Sequence, residues 1–121
     1  MKKWLFAVLL HTAFGAAPAL AAPTHSAFAA FWSDFQAALA QSDKPALIPL
    51  IKLPPAAEIR PLTPDAYVKE QIKTLFKLRR CLAKTRPVKD GSSYSAFCGE
   101  QGMSFDRVDG EYKFIEFFAN D

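Results

Sequence analysis

The hydrophobic period of this chain changes once, at Gly91, and that change limits the fold more than any other feature. Before Gly91 apolar residues recur at three- and four-residue spacings, as on a helix face. Beyond it they alternate with a period of two, as on a half-buried strand. Helices first and strands afterwards specify an α+β chain. Three N-terminal helices pack on an antiparallel sheet formed mainly by the C-terminal third.

Ser26 is a good N-cap for the first helix. Phe28, Phe31, Trp32, Phe35 and Leu39 follow it as one stripe, with Ser33, Gln36 and Gln41 off it. Aromatics at helical spacing mark a buried face, so this stripe is read as core and not as a ligand cage. Ser42-Asp43-Lys44-Pro45 stops that helix and caps a second, apolar one over 46–51, which Pro49 kinks or shortens. Residues 52–62 hold Pro54, Pro55 and Pro61 and read as an extended connection with room for one short edge strand. Thr63-Pro64-Asp65 starts the third helix, with Thr63 as N-cap, Pro64 in the first turn and Asp65 complementing the dipole. Val68, Ile72, Leu75, Phe76 and Leu82 form its buried stripe to about Ala83.

Residues 93–99, 103–108 and 111–118 read as strands. Asp109-Gly110 is a two-residue hairpin turn of the kind that needs positive φ. Setting Val108 opposite Glu111 puts Phe105 against Phe114, Asp106 against Lys113 and Arg107 against Tyr112, so apolar meets apolar and charge meets opposite charge.

The chain carries 15 Lys and Arg against 12 Asp and Glu, a formal +3, and half of its 121 residues are hydrophobic. That length and apolar share suit one domain with a core. Lys2 and Lys3 belong to an expected signal peptide over 1–21: a basic start, an apolar run from Trp4 to Leu10, and Ala19-Leu20-Ala21 as cleavage site. His11, Thr12, Gly15 and Pro18 interrupt the run, against a membrane anchor. The mature domain is then 22–121, periplasmic or extracellular, with no integral membrane segment. Without Lys2 and Lys3 it has 13 basic residues against 12 acidic, near neutrality, which excludes nucleic acid as the natural partner. In an oxidising compartment Cys81 and Cys98 are expected to form a disulfide closing a loop of about seventeen residues. The alternatives are buried free thiols or a redox pair, and the C-x-x-C spacing usual for the latter is absent.

The order of these elements resembles that of the nuclear transport factor 2-like superfamily, the cone-shaped cystatin-like α+β fold. Phe28, Phe31, Trp32, Phe35, Leu39 and Asp43 carry the likeness at the front, and Phe105, Asp109, Gly110, Tyr112 and Phe114 at the back. The resemblance spans essentially the whole mature chain, through structural motifs. It implies a curved sheet wrapping the long helix and enclosing a pocket; a small apolar ligand is one expected partner of the chain. That superfamily includes isomerases, dehydratases and non-catalytic binding or dimerisation domains, so fold does not choose the function. Its enzymes carry an acid inside the cone, often with His or Tyr, and this chain has no obvious buried Asp–His pair.

Few residues offer chemistry. His25 is the one histidine of the mature chain and stands before the first helix; a lone exposed imidazole ordinarily has no role. No His/Cys/Asp cluster has metal-ligand spacing, no glycine-rich phosphate loop is present, and no cofactor is expected. Glu116 is the acid candidate. By period-two counting it shares a face with Tyr112, Phe114 and Phe118, with Arg107 beside Tyr112. Desolvation among aromatics would favour the neutral carboxyl a general acid or base requires. The plainer reading is Glu116 in water near the sheet's end, or paired with Arg107. The second feature is charge. Eight basic residues and one acid lie between Lys69 and Lys89, whereas Asp90 to Asp121 holds seven acids and two basic residues. Lys69, Lys73, Lys77 and Arg80 form a stripe on one helix face. Such a stripe is ordinarily a solvated outer face; its functional reading is an anionic partner, or the acidic strands of a second copy in a homodimer. The expectation is an exported, non-catalytic binding or accessory domain. The alternatives are a pocket enzyme of isomerase or hydrolase type using Glu116, and an electrostatic interaction module using the Lys69–Lys89 helix.

Overall fold

A computed structural model describes residues 26–120, and the expected signal peptide lies outside them. Two units are distinguished, one ending at Ala30 and one running from Phe31 to Asp121. The boundary falls within helix α1 (Ala27–Ala40). In the first unit the helix start is capped as expected, the Ala29 N–H donating to Ser26 Oγ at 3.0 Å.

In the second unit α1 is closed off by Ser42, two residues past its end, whose φ of +52° is left-handed. Ser42 N–H donates to the Leu39 carbonyl and Asp43 N–H to that of Ala38, the paired bonds that close a helix C-terminus. Asp43 then caps helix α2 (Lys44–Leu47), Oδ1 accepting from the Ala46 N–H at 3.2 Å. Pro49 shortens α2 as anticipated, the chain passing through a 3-10 turn, Ile48–Leu50, into extended backbone at Ile51. The connection after it is not extended throughout. Ala56–Ile59 form a helical turn, α3, following Pro55, and bury Ile59. Ala-Ala-Glu has high helix propensity, and the proline φ preceding it is already set for entry. In place of an edge strand, Ile51 makes one parallel bridge to Phe114, with Lys52 N–H donating to the Phe114 carbonyl at 2.8 Å.

Helix α4 (Pro64–Lys77) starts where read, Thr63 Oγ1 accepting from the Ala66 N–H at 3.1 Å. It stops before the expected end. Leu78, at φ −97° and ψ 3°, leaves the helical region, and a separate turn, α5 (Arg79–Leu82), follows. Leu78 N–H bonds the Leu75 carbonyl as well as that of Thr74, the tightening common in a last turn. The described residues thus hold five α-helices, three of them single turns, where three helices were expected.

The C-terminal third forms a four-stranded antiparallel sheet in the order β1 (Val88–Asp90), β2 (Ser93–Cys98), β3 (Gln101–Val108), β4 (Glu111–Ala119). Strand β1, three exposed residues, was not anticipated. The hairpin register is the one read from sequence, from Val108–Glu111 to Phe105–Phe114, around Asp109 and Gly110 at positive φ. Past Phe105 it shifts by one: Ser104 pairs with Glu116, leaving Ile115 as the extra residue of a bulge.

One sheet face holds the core. Ala96, Met103, Phe105 and Phe114 have no exposed surface. Phe105 is the hub: Trp32 and Phe35 of α1 each stand edge-on to it at 5.4 Å, and Phe35 also reaches Phe114 at 6.5 Å. These ring pairs seat Trp32 and Phe35 on β3 and β4. Gln36 adds a bond from α1 to α5, Nε2 donating to the Leu82 carbonyl at 3.0 Å. Cys81 and Cys98 form the expected disulfide, Cα atoms 6.0 Å apart, joining α5 to β2.

Candidate functional site

The sheet brings together two of its three candidates. Arg107 and Tyr112 are cross-strand partners, the guanidinium 4.7 Å from the Tyr112 ring centroid and Nη1 donating to the Gly110 carbonyl at 3.3 Å. Tyr112 in turn stands edge-on to Tyr94 at 5.8 Å.

Glu116 does not join them. Plain alternation would place it with Tyr112 and Phe114, but the bulge at Ile115 inverts the remainder of β4. Phe117 takes the inward position opposite Met103, its ring 4.8 Å from that of Phe114. Glu116 lies opposite Ser104 and is exposed, and Phe118 covers Gly102 on the same outer face. The expected shared face is therefore corrected: an added residue, not the side-chain pattern, decides which way Glu116 points. Its carboxylate does act on Tyr67 of α4, a residue the sequence reading passed over. Partial burial, and then the charge of Glu116, push the Tyr67 phenol above its ordinary value.

The basic stripe has more structure around it. Lys69, Lys73 and Lys77 are exposed along α4 and Arg80 is exposed on α5. Ile72 and Leu75, on the same helix, are buried. The lysines do not simply face water. A cavity of about 280 Å³ is lined by Lys44, Lys69, Ile72, Lys73 and Phe76. A second of about 280 Å³ adjoins it, sharing Lys44, Lys69 and Ile72 and adding Ile48, Asp65 and Val68. Together they make a trough between α2 and α4, its floor apolar and its rim carrying three ammonium groups. Further along, Phe76, Lys77, Arg79 and Arg80 line a third cavity of about 360 Å³.

Lys44 and Ile48 are trough residues that sequence reasoning missed, and Val68 and Phe76, read as part of a buried stripe, are half-buried and line it. The signal available was local: Asp43 fixes the start of α2 and therefore the positions of Lys44 and Ile48. That α2 runs beside α4 depends on the proline-rich connection, whose path no periodicity encodes. Among the described residues no group of three or more His, Cys, Asp or Glu side chains is placed to hold a metal ion. Nor, among them, is any helix long and apolar enough to cross a membrane. Comparisons with protein-family models, with curated proteins and with solved structures find no match to this chain.

Proposed function

We propose that this chain is an exported, non-catalytic binding domain whose partner is anionic and meets the basic face of α4 and α5. One observation carries the reading: Lys44, Lys69, Lys73, Lys77 and Arg80 all line concave surface, with Asp65 the single acid among the lining residues of those three cavities. A face built only for solubility needs no concavity, whereas convergent like charges at a cleft attract counter-charge and cost the fold some repulsion. Export is part of the proposal, supported by the leader-like residues 1–21 and by the disulfide. Its kinship with the nuclear transport factor 2-like superfamily is likewise proposed, on the succession of capped helices and a closing hairpin.

The test is binding to dextran sulfate across a salt series. Affinity should fall at least tenfold between 50 mM and 500 mM NaCl, as about three exposed contacts are screened. Lys73→Glu/Lys77→Glu should abolish most of what remains, while Glu116→Gln should leave it unchanged. Salt-independent binding, or none, would refute the proposal.

A further inference from the structure

We infer that the trough between α2 and α4 takes a single-chain anionic amphiphile, a long-chain carboxylate, with its head group among Lys44, Lys69 and Lys73 and its chain along Ile72, Val68 and Ile48. The inference rests on the anionic-partner reading and narrows it to a ligand class. Its basis is that the charges and the apolar surface are arranged along one axis. Of the two cavities of the trough, Lys73 and Phe76 line the first alone, Asp65, Val68 and Ile48 the second alone, and Lys44, Lys69 and Ile72 both. The positive end therefore lies toward Lys73. At the other end the Asp65 carboxylate repels a second anionic group and leaves that half of the trough to the tail.

The floor suits a hydrocarbon. Ile72 is buried, Val68 and Phe76 are half-buried, and Ile48 is left 50% exposed at the trough's edge, among the largest uncovered apolar side chains of the described chain. Lysine stems extend such a surface while their ammonium groups stay in water, so a rim of three lysines adds apolar wall as well as charge. From Lys73 back to Asp65 the helix spans about 12 Å at 1.5 Å per residue, comparable to an extended decyl chain. A small hydrophilic anion would use the rim and leave Ile48 and Val68 wet. A neutral lipid would cover the floor and leave the ammonium groups unanswered. A chain with one terminal carboxylate satisfies both.

Titration calorimetry of the oxidised protein with octanoate, decanoate and dodecanoate, below their micellar concentrations, tests this directly. Affinity should rise about two- to fourfold per added methylene, the increment expected for a partly to fully covered chain. Dodecyl maltoside, which has the same tail and no charge, should bind at least tenfold more weakly than dodecanoate. Ile48→Gln alters an exposed position without adding charge, so the fold is retained; it should weaken dodecanoate about fivefold and leave dextran sulfate binding within twofold. Lys77→Glu/Arg80→Glu, outside the trough, should do the reverse. Dextran sulfate binding without dodecanoate binding would overturn the amphiphile inference and spare the anionic-partner reading. Loss of both ligands in the unaltered protein would overturn the two together. Dodecanoate binding that is insensitive to Ile48→Gln, or matched by the maltoside, would also overturn the inference.

Discussion

Tyr67 shows how much one side chain's surroundings can reveal. Its phenol is half-buried on α4 within the field of Glu116, and both burial and that negative charge disfavour the phenolate. The folded-state pKa therefore lies above the ordinary 10.0. Stability from this group is fully present below the unfolded value and is lost as pH rises through the folded one, because the unfolded chain releases its proton first. Urea midpoints measured from about pH 8 to pH 11 should fall more steeply for the unaltered protein than for Tyr67→Phe. Parallel slopes would show that the ring is more solvated than its position on α4 indicates. Glu116→Gln should shallow the slope too, though by less, since burial is the larger cause.

Among the elements, β3 and β4 depend on a close approach at Gly102. A Cβ there would enter the ring of Phe118, which stands edge-on to Phe97 at 5.9 Å. The ring can swing outward, so Gly102→Ala should cost about 1 kcal/mol, the low end of overpacking. Removing the obstruction with Phe118→Ala should make the two effects less than additive, as a double-mutant cycle in denaturant would register. Full additivity would mean that the two residues do not touch. The same hairpin marks where the sequence is legible and where it stops being so. From Val108 to Phe105, opposite charges and apolar pairs admit a single register, and the structure adopts it. Beyond Phe114 the run Ile115-Glu116-Phe117-Phe118 supplies large side chains to both faces, so alternation and a one-residue bulge look equally good on paper. Packing decides, since Phe117 gains the Phe114 ring by turning inward. The break at Leu78 was hidden for a related reason: leucine favours a helix, and only the geometry of the following turn interrupts it. For the candidate site, the lysine stripe was readable as a stripe, but its neighbour α2 was not, because contacts across 52–62 are set by the path of a loop.

At the scale of the whole molecule, the Cys81–Cys98 bridge joins the helical part to the sheet. Closing a loop of about seventeen residues restricts the unfolded chain and should contribute about 3 kcal/mol. The Cys81→Ala/Cys98→Ala variant should accordingly lose roughly that much in urea or heat unfolding, a large share of the stability of a domain this size. A variant that melts with the parent would show that Gln36 and the Phe105 cluster hold the two parts together unaided. The fold's charge is also divided along the chain. Basic residues crowd α4 and α5 and acidic ones the strands, so the formal charge of +3 is unevenly distributed along the chain. Finally, the two margins of the sheet are not alike. The β4 margin is met by Ile51 and by Lys52, whose N–H takes the Phe114 carbonyl, and Lys113 Nζ donates to the Pro49 carbonyl at 2.6 Å. The β1 margin is three residues long, directly follows Pro87 and carries a lysine at its centre. A prolonged, flat and apolar edge invites copies to stack into fibrils; this one offers a stacking neighbour almost no length to grip and a charge to bury, so crowding carries little risk of runaway aggregation through the sheet.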